Sequence, residues 1–304
     1  MIELRCLGSA AGGGYPQWDC ACASCAAARV EGRSSRQDSF AVSGDGRRWW
    51  LLNASADVVQ QINASPDLLP GPGVRDTPVV GVLLTDAELD HIGGLLELRH
   101  AKSITIAAAP GVLSLVRDQL ALDSILSSYC EVTWLSLPEG SAVRLDESLL
   151  VTTVPIGHRR PRYAPATALT EGCNAACVTA LRLQPGVSSG GVLYAPTLPT
   201  WSSDFGELAG ISDAVFVDGT FWQDGELVAA RADAKCERPT QSMGHLPISG
   251  PRGSLEQLSC LKTPVKVYVH LNNTNPAWGP FSSQAAELAR SGVIVAKDGM
   301  AWHL

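Results

Sequence analysis

Residues 85 to 91 read Thr85-Asp86-Ala87-Glu88-Leu89-Asp90-His91, directly after the apolar run Val79-Val80-Gly81-Val82-Leu83-Leu84. Such runs are core strands, and α/β folds place their sites just past the carboxyl ends of strands. Carboxylates and an imidazole gathered there can hold a divalent ion or move protons. His270 follows another apolar run, Val265 to Val269, and Asp218 follows Val215-Phe216-Val217. His245 lies in the turn-like stretch Met243-Gly244-His245-Leu246-Pro247. Polar groups at separate strand ends can converge on one edge of a sheet sandwich. An Asp and two His around one ion then resemble the two-histidine, one-carboxylate arrangement with open positions for iron, or a catalytic zinc with a bound water, and Asp90, His91 and His270 are candidates for it. His245 and Asp218 are further candidates, Asp218 either as a ligand or as a partner that orients one. The chain has six histidines, and His100 and His303 are read as structural.

A second constellation is Cys20, Cys22 and Cys25, at the end of a turn-rich stretch that begins at Gly12. Cys-x-Cys-x-x-Cys brings three soft thiolates into one loop, which suits zinc. A structural site that pins the amino-terminal loop is expected, with a fourth ligand from elsewhere in the chain. Neighbours this close seldom fit disulfide geometry. Cys6, Cys130, Cys173, Cys177, Cys236 and Cys260 are scattered and read as buried small residues.

The one locally basic stretch, Arg159-Arg160-Pro161-Arg162-Tyr163, follows His158. It is either a solvated loop or a lid whose arginines bind an acidic substrate, since guanidinium pairs bidentately with carboxylate. In the second case His158, Arg160 and Arg162 orient substrate carboxylates, while Asp86 and Glu88 serve as acid–base groups or weak ligands.

The elements that must position these residues are short. Strands are expected at Ile2 to Cys6, Ser39 to Val42, Trp49 to Asn53, Val79 to Leu84, Ile104 to Ala107, Leu149 to Val154, Val178 to Leu183, Gly191 to Tyr194, Ala214 to Val217, Val265 to Val269 and Val293 to Ala296. Helix-like stretches fall at Ala56 to Asn63, Ile92 to His100, Gly111 to Leu120 and Ser282 to Ser291, the last with Ser282 as its cap. Surface loops are expected at Leu68 to Asp76, Arg159 to Gly172 and Gln184 to Gly191. This order suggests two sheets with helices outside, which is compatible with an αββα sandwich without selecting it.

The chain has 304 residues, 45% of them apolar, enough for a sizeable core. Its 23 Lys and Arg against 30 Asp and Glu give a net charge of −7 with no basic run, so nucleic-acid binding has no support. No signal peptide and no membrane-length apolar stretch is seen, and the expectation is a soluble cytoplasmic protein.

The strand end at 85 to 91 resembles that of the metallo-β-lactamase superfamily, which carries His-x-His-x-Asp-His with Thr commonly just before it. Thr85, Asp90 and His91 match, while Asp86 and Glu88 stand at the first two His positions. Gly8-Ser9-Ala10-Ala11-Gly12-Gly13-Gly14, Pro16-Gln17-Trp18 with the three cysteines, Leu51-Leu52-Asn53-Ala54-Ser55, Met243-Gly244-His245, His270 to Pro276 and Asp298-Gly299-Met300 resemble the pyrroloquinoline quinone (PQQ) biosynthesis protein B (PqqB) family. The likeness covers nearly the whole chain. It implies a single metallo-β-lactamase-like domain over residues 1–304, an αββα sandwich of mixed sheets, with a zinc loop near 12–25. It implies hydroxylation of a tyrosine ring in a crosslinked Glu–Tyr precursor, with Fe(2+) at Asp90, His91 and His270 and dioxygen as co-substrate. Asn273 matches the place where a related phosphodiesterase has the histidine that completes its cysteine zinc site. The alternatives are a metal-dependent hydrolase and a non-catalytic carrier of the cofactor or its precursor. The partners expected are a small aromatic precursor and dioxygen, with no nucleic acid and no membrane, and a homodimer is compatible with the sequence.

Three positions depart from the resemblance. Gly157-His158 stands where the family has Gly-Lys, and Ala234-Lys235-Cys236-Glu237-Arg238 replaces a Gly-Thr-Lys-Thr-Gly segment. Both permit a paralogue acting on another tyrosine- or tryptophan-derived precursor. Ala195-Pro196-Thr197 replaces the superfamily's bridging Asp, as in the family, and argues against a dinuclear zinc hydrolase.

Overall fold

The computed structural model describes residues 1–164, 175–186, 190–231 and 239–304. Cys173, Cys236 and the Ala234 to Arg238 segment lie outside the described residues, as do 165–172 of the second expected loop and 187–189 of the third.

Among the described residues the strands are β1 (Glu3–Gly8), β2 (Ser39–Ser43), β3 (Trp49–Leu52), β4 (Val79–Leu84), β5 (Ser103–Ala108), β6 (Glu131–Ser136), β7 (Ala142–Arg144), β8 (Leu150–Gly157), β9 (Val178–Gln184), β10 (Val192–Ala195), β11 (Ala214–Asp218), β12 (Val265–Val269), β13 (Ile294–Val295) and β14 (Ala301–His303). They form two seven-stranded sheets, β14-β1-β2-β3-β4-β5-β6 and β13-β12-β11-β10-β9-β8-β7. In the first sheet β14, β1, β2 and β3 pair antiparallel, and β3 through β6 pair parallel. The second sheet repeats the plan, parallel from β10 to β13 and antiparallel from β7 to β10.

Alternation along each strand feeds three apolar layers, because successive side chains point to opposite faces. Leu83 of β4 enters the layer between the sheets with Leu4, Phe40, Phe216, Val267 and Val269. Its neighbours Val82 and Leu84 enter the layer under the helices outside the first sheet, with Val58, Leu95 and Val112. On the second sheet Val215, Val217 and Tyr268 pack outward on Phe205, Leu255 and Leu288. The expected αββα arrangement is what is found. β4 and β11 are buried on both faces, which is why they read as near-continuous apolar runs, whereas β12 carries the partly exposed Lys266 among its apolar residues.

Local details differ from the sequence reading. The stretch Ile92 to His100 is one α-turn, Leu89–Ile92, followed by a 3-10 run, Gly93–His100. Gly94 lies so close to β3's exit that a Cβ there would stand 2.1 Å from Ser55 O. Gly111 to Leu120 is an α-helix over Pro110–Ser114 continued by a π-turn over Leu115–Gln119. Ser282 caps its helix as expected, its hydroxyl accepting from Ala285 N at 3.0 Å. None of the helices among the described residues is long and apolar enough to cross a membrane.

Candidate metal centre

The site is built where the parallel strands of both sheets end. Asn53, just past β3, adopts φ 60° and clamps the end of β4: Thr85 N donates to Asn53 Oδ1 at 3.0 Å, and Asn53 Nδ2 donates to Thr85 Oγ1 at 3.0 Å. Ala54 N donates to His91 O at 2.7 Å and Gly94 N to Ala54 O at 2.8 Å, which fixes the turn that carries Asp90 and His91. Thr179 N of β9 donates to Thr85 O at 2.8 Å, tying this end of the first sheet to the second.

His91 and Asp86 are almost fully buried. His91 Nδ1 lies 2.8 Å from both oxygens of Asp86, whose carboxylate also accepts from Glu88 N, Thr85 Oγ1 and Thr197 Oγ1. An imidazole that donates Nδ1–H to a carboxylate presents its Nε2 lone pair, which is how metal-bound histidines are held. His91 Nε2 is buried and without a partner among the described residues. Asp86 therefore reaches the site through His91, and it does not line the pocket.

His270 follows β12 with φ 59°, a strained conformation for a bulky residue. Its Nδ1 lies 2.9 Å from Thr220 Oγ1, and its Nε2 lies 3.2 Å from Asp90 Oδ2. The Thr220 hydroxyl donates to its nearest and charged acceptor, Asp218 Oδ1, at 2.6 Å. It thus accepts from His270 Nδ1, so the Nε2 lone pair faces the Asp90 carboxylate. Two acceptors that close repel unless a proton or a cation lies between them. Asp218 is fully buried and also accepts from Leu198 N, Thr220 N and His245 Nδ1, the last at 2.8 Å. With four donors it orients His245 and, through Thr220, His270.

The donor set fits a metal ion. Ligand atoms of Asp90, His91 and His270 lie within 4.8 Å of one another, and so do those of Asp218, His245 and His270. In the absence of an ion, protons answer the same field. Burial pulls His91 down, but the charges of Asp86 and Asp90 outweigh it and push it up to about 10. Burial likewise raises Asp90, and His91 and His270 overcome it to hold the carboxyl well below its usual range. The pocket over the cluster, about 240 Å³, is lined by Glu88, Asp90, His91, Arg159, Arg162, His245 and His270 among others.

Asp90, His91, His245 and His270 thus come together, with Asp218 and Asp86 behind the imidazoles. Glu88 and Arg162 face the pocket, whereas His158 is exposed and neither His158 nor Arg160 lines it. Arg159, which the sequence places in the basic run without a role of its own, does line it, as does Thr220, which the sequence does not single out. Arg159 stood in the same basic run, while nothing in Thr220's sequence neighbourhood beyond Asp218 marks its role.

The cysteine loop abuts this centre. Gly12 leaves room for Asp90, since a Cβ there would stand 3.0 Å from Asp90 Oδ2. Asn273, three residues past His270, points its amide at Cys20 Sγ and Cys25 Sγ, with Nδ2 at 3.1 Å and 3.2 Å, and at Cys22 Sγ at 3.8 Å. Asn273 Oδ1 is buried without a partner among the described residues, and exchanging the two amide ends turns that oxygen onto the sulfurs. Burial and the neighbouring thiols push Cys22 up to about 11, and for Cys20 burial is outweighed by the hydrogen bond from Cys22 N, which lowers it. Three thiols and an amide oxygen in one cluster suit zinc.

Residues 48–271 match the profile of the beta-lactamase superfamily domain, the class that this sandwich and its strand-end cluster define. Over 99% of its length and 99% of the relative's, the chain is 40% identical to coenzyme PQQ synthesis protein B of Cupriavidus necator. It superposes on the crystal structure of Zn(2+)-bound PqqB from Methylobacterium extorquens with a TM-score of 0.86 and 32% identity, covering 99% of this chain and all of that one. A diphosphatase of the PhnP family, 18% identical with a TM-score of 0.69 over the whole chain, shares the fold. The chain belongs to the PqqB family of the metallo-β-lactamase superfamily.

Proposed function

We propose that this chain acts in PQQ biosynthesis as a mononuclear iron-dependent oxygenase that hydroxylates the tyrosine ring of a crosslinked Glu–Tyr precursor. The observation that carries the reading is the turn of Asp86 onto His91 Nδ1. The residue at a superfamily ligand position becomes an orienting group, which leaves Asp90, His91 and His270, with His245 beside them, around one ion with open faces.

Iron held there supplies dioxygen activation. The chain's own residues do the rest. Asp86 keeps the His91 proton on Nδ1, and Asp218 does so for His245 and, through Thr220, for His270. Glu88, raised by burial and by Asp86, offers an acid–base group at the pocket. Arg159 and Arg162 face an acidic substrate.

A metal-dependent hydrolase is the second reading, favoured by the Zn(2+) bound in the Methylobacterium extorquens relative. Metal analysis of anaerobically prepared protein, wild type beside His91→Ala, separates the two. The expected result is one zinc retained in both and iron lost in the variant alone. Zinc without any iron-binding capacity sinks the oxygenase and leaves the hydrolase or a carrier. A carrier also predicts that pathway output survives loss of the Asp90 carboxylate.

A further inference from the structure

We infer that Arg159 takes a carboxylate of the substrate, and that Glu88 occupies the same guanidinium until the substrate arrives; this rests on the proposed reading of the pocket as a site for an acidic aromatic precursor. Arg159 Nη1 donates to Glu88 Oε1 at 2.9 Å, in a pair with side chains 31% and 29% exposed. Such a partly exposed pair contributes modestly to stability, and it lies inside the pocket. Both residues line the pocket with Asp90, His91, His245 and His270.

The guanidinium lies on bare backbone. Gly244 has φ 94°, and a Cβ there would stand 3.2 Å from Arg159 Nη1 and 3.3 Å from its Cδ. The loop that carries Arg159 is tied to the turn that carries Glu88 and Asp90, because Tyr163 Oη donates to Ala87 O at 2.6 Å. Arg159 is therefore held at a set place beside the metal ligands, with guanidinium donors beyond the Glu88 bond. A planar fork in that position matches a carboxylate in two parallel hydrogen bonds. Glu88 presents the same chemical group as the incoming substrate and is displaced by it. Arg162 also lines the pocket but is exposed, and it adds charge without a fixed seat.

The two residues then have opposite effects on binding, which a purely structural ion pair would not show. The test is calorimetric titration of the zinc-loaded full chain without dioxygen, using N-acetyl-L-glutamyl-L-tyrosine and its uncharged counterpart N-acetyl-L-glutaminyl-L-tyrosinamide. The dipeptide is expected to bind wild type about tenfold more tightly than the amide, the scale of a charge-assisted pair. Arg159→Gln removes that preference and leaves the amide's affinity in place. Arg159→Lys restores part of the preference, and Glu88→Gln tightens the dipeptide. Melting temperature and metal content of each variant establish that it is folded and loaded. The inference is overturned if wild type binds the two probes equally or fails to bind the dipeptide. It is also overturned if the preference survives in Arg159→Gln, or if Glu88→Gln weakens the dipeptide. Because no turnover is read, an intact preference with no hydroxylation by the iron form sinks the oxygenase alone. Hydroxylation without the preference sinks this inference alone.

Discussion

His270 Nε2 and Asp90 Oδ2 face each other across 3.2 Å, and they join the two sheets: Asp90 follows β4 of the first and His270 follows β12 of the second. An ion between them is a cross-sheet link, so metal binding and folding are coupled. Stripping the metal with a chelator is expected to lower the melting temperature. Zinc added back at a hundred times its Kd should return about 3 kcal/mol. Asp90→Asn, which keeps the shape and loses the charge, should recover only a small part of that. An equal response of Asp90→Asn in a thermal melt would remove Asp90 from the ligand set.

Asp86 acts one bond further out. Replacing a carboxylate that orients a metal-bound histidine costs about 10- to 100-fold in metal affinity. Asp86→Asn is expected to show a loss of that size at the histidine site, measured by competition with a chromophoric chelator, and to leave the cysteine-site metal untouched. An unchanged affinity would mean that the His91–Asp86 contact positions nothing.

How far all this was legible depends on burial. β4 and β11 announced themselves because both of their faces are covered, and β12 because Lys266 alone interrupts its apolar residues; the acids and imidazoles at their ends were then obvious candidates. β6, β7 and β14 did not, because each is partly exposed, and two of them are only three residues long. The π-turn after Ser114 and the 3-10 run after Ile92 were equally invisible, since periodicity does not report which hydrogen bond a turn makes. Within the site, residue types pointed to a metal, but the division of labour did not follow from them. That Asp86 faces His91 Nδ1, that Thr220 bridges Asp218 and His270, and that Arg159 rather than Arg160 faces the pocket are matters of atom placement. Only tertiary structure sets these.

At the cysteine loop the expectation is a second, separate metal. Cys25 is fully buried, and Asn273 at 2% exposed closes the cluster. Cys25→Ser should abolish one equivalent of zinc in elemental analysis while the histidine-site metal persists. Asn273→Asp, which puts an oxygen on the sulfurs whichever way the group is turned, should hold zinc at least as tightly as wild type, and Asn273→Ala more weakly. If Asn273→Ala binds zinc as well as wild type, the fourth ligand is water or another residue.

Glu226 supplies a pH dependence through the segment that follows His270. It is buried, accepting from Trp222 N at 2.6 Å and from the Thr274 hydroxyl, and so fastens the helix Glu226–Arg231 to the segment after His270. Burial pushes its carboxyl up to about 7, against the opposing pull of the Thr274 and backbone hydrogen bonds. The folded state thus favours the protonated acid. Its contribution to stability is fully present below the ordinary carboxyl value and is lost as pH rises through 7. From a starting value of 4.5 in the unfolded chain, the loss is on the order of 3 kcal/mol. Gln at this position cannot ionise. Glu226→Gln is therefore expected to gain stability relative to wild type as pH rises from about 4.5 to 7.5, and to show no further relative change above that. Urea unfolding of both proteins across this range, at fixed saturating zinc, gives the difference directly. A difference that stays flat with pH would mean that Glu226 is ionised in the folded protein, with its hydrogen bonds outweighing burial.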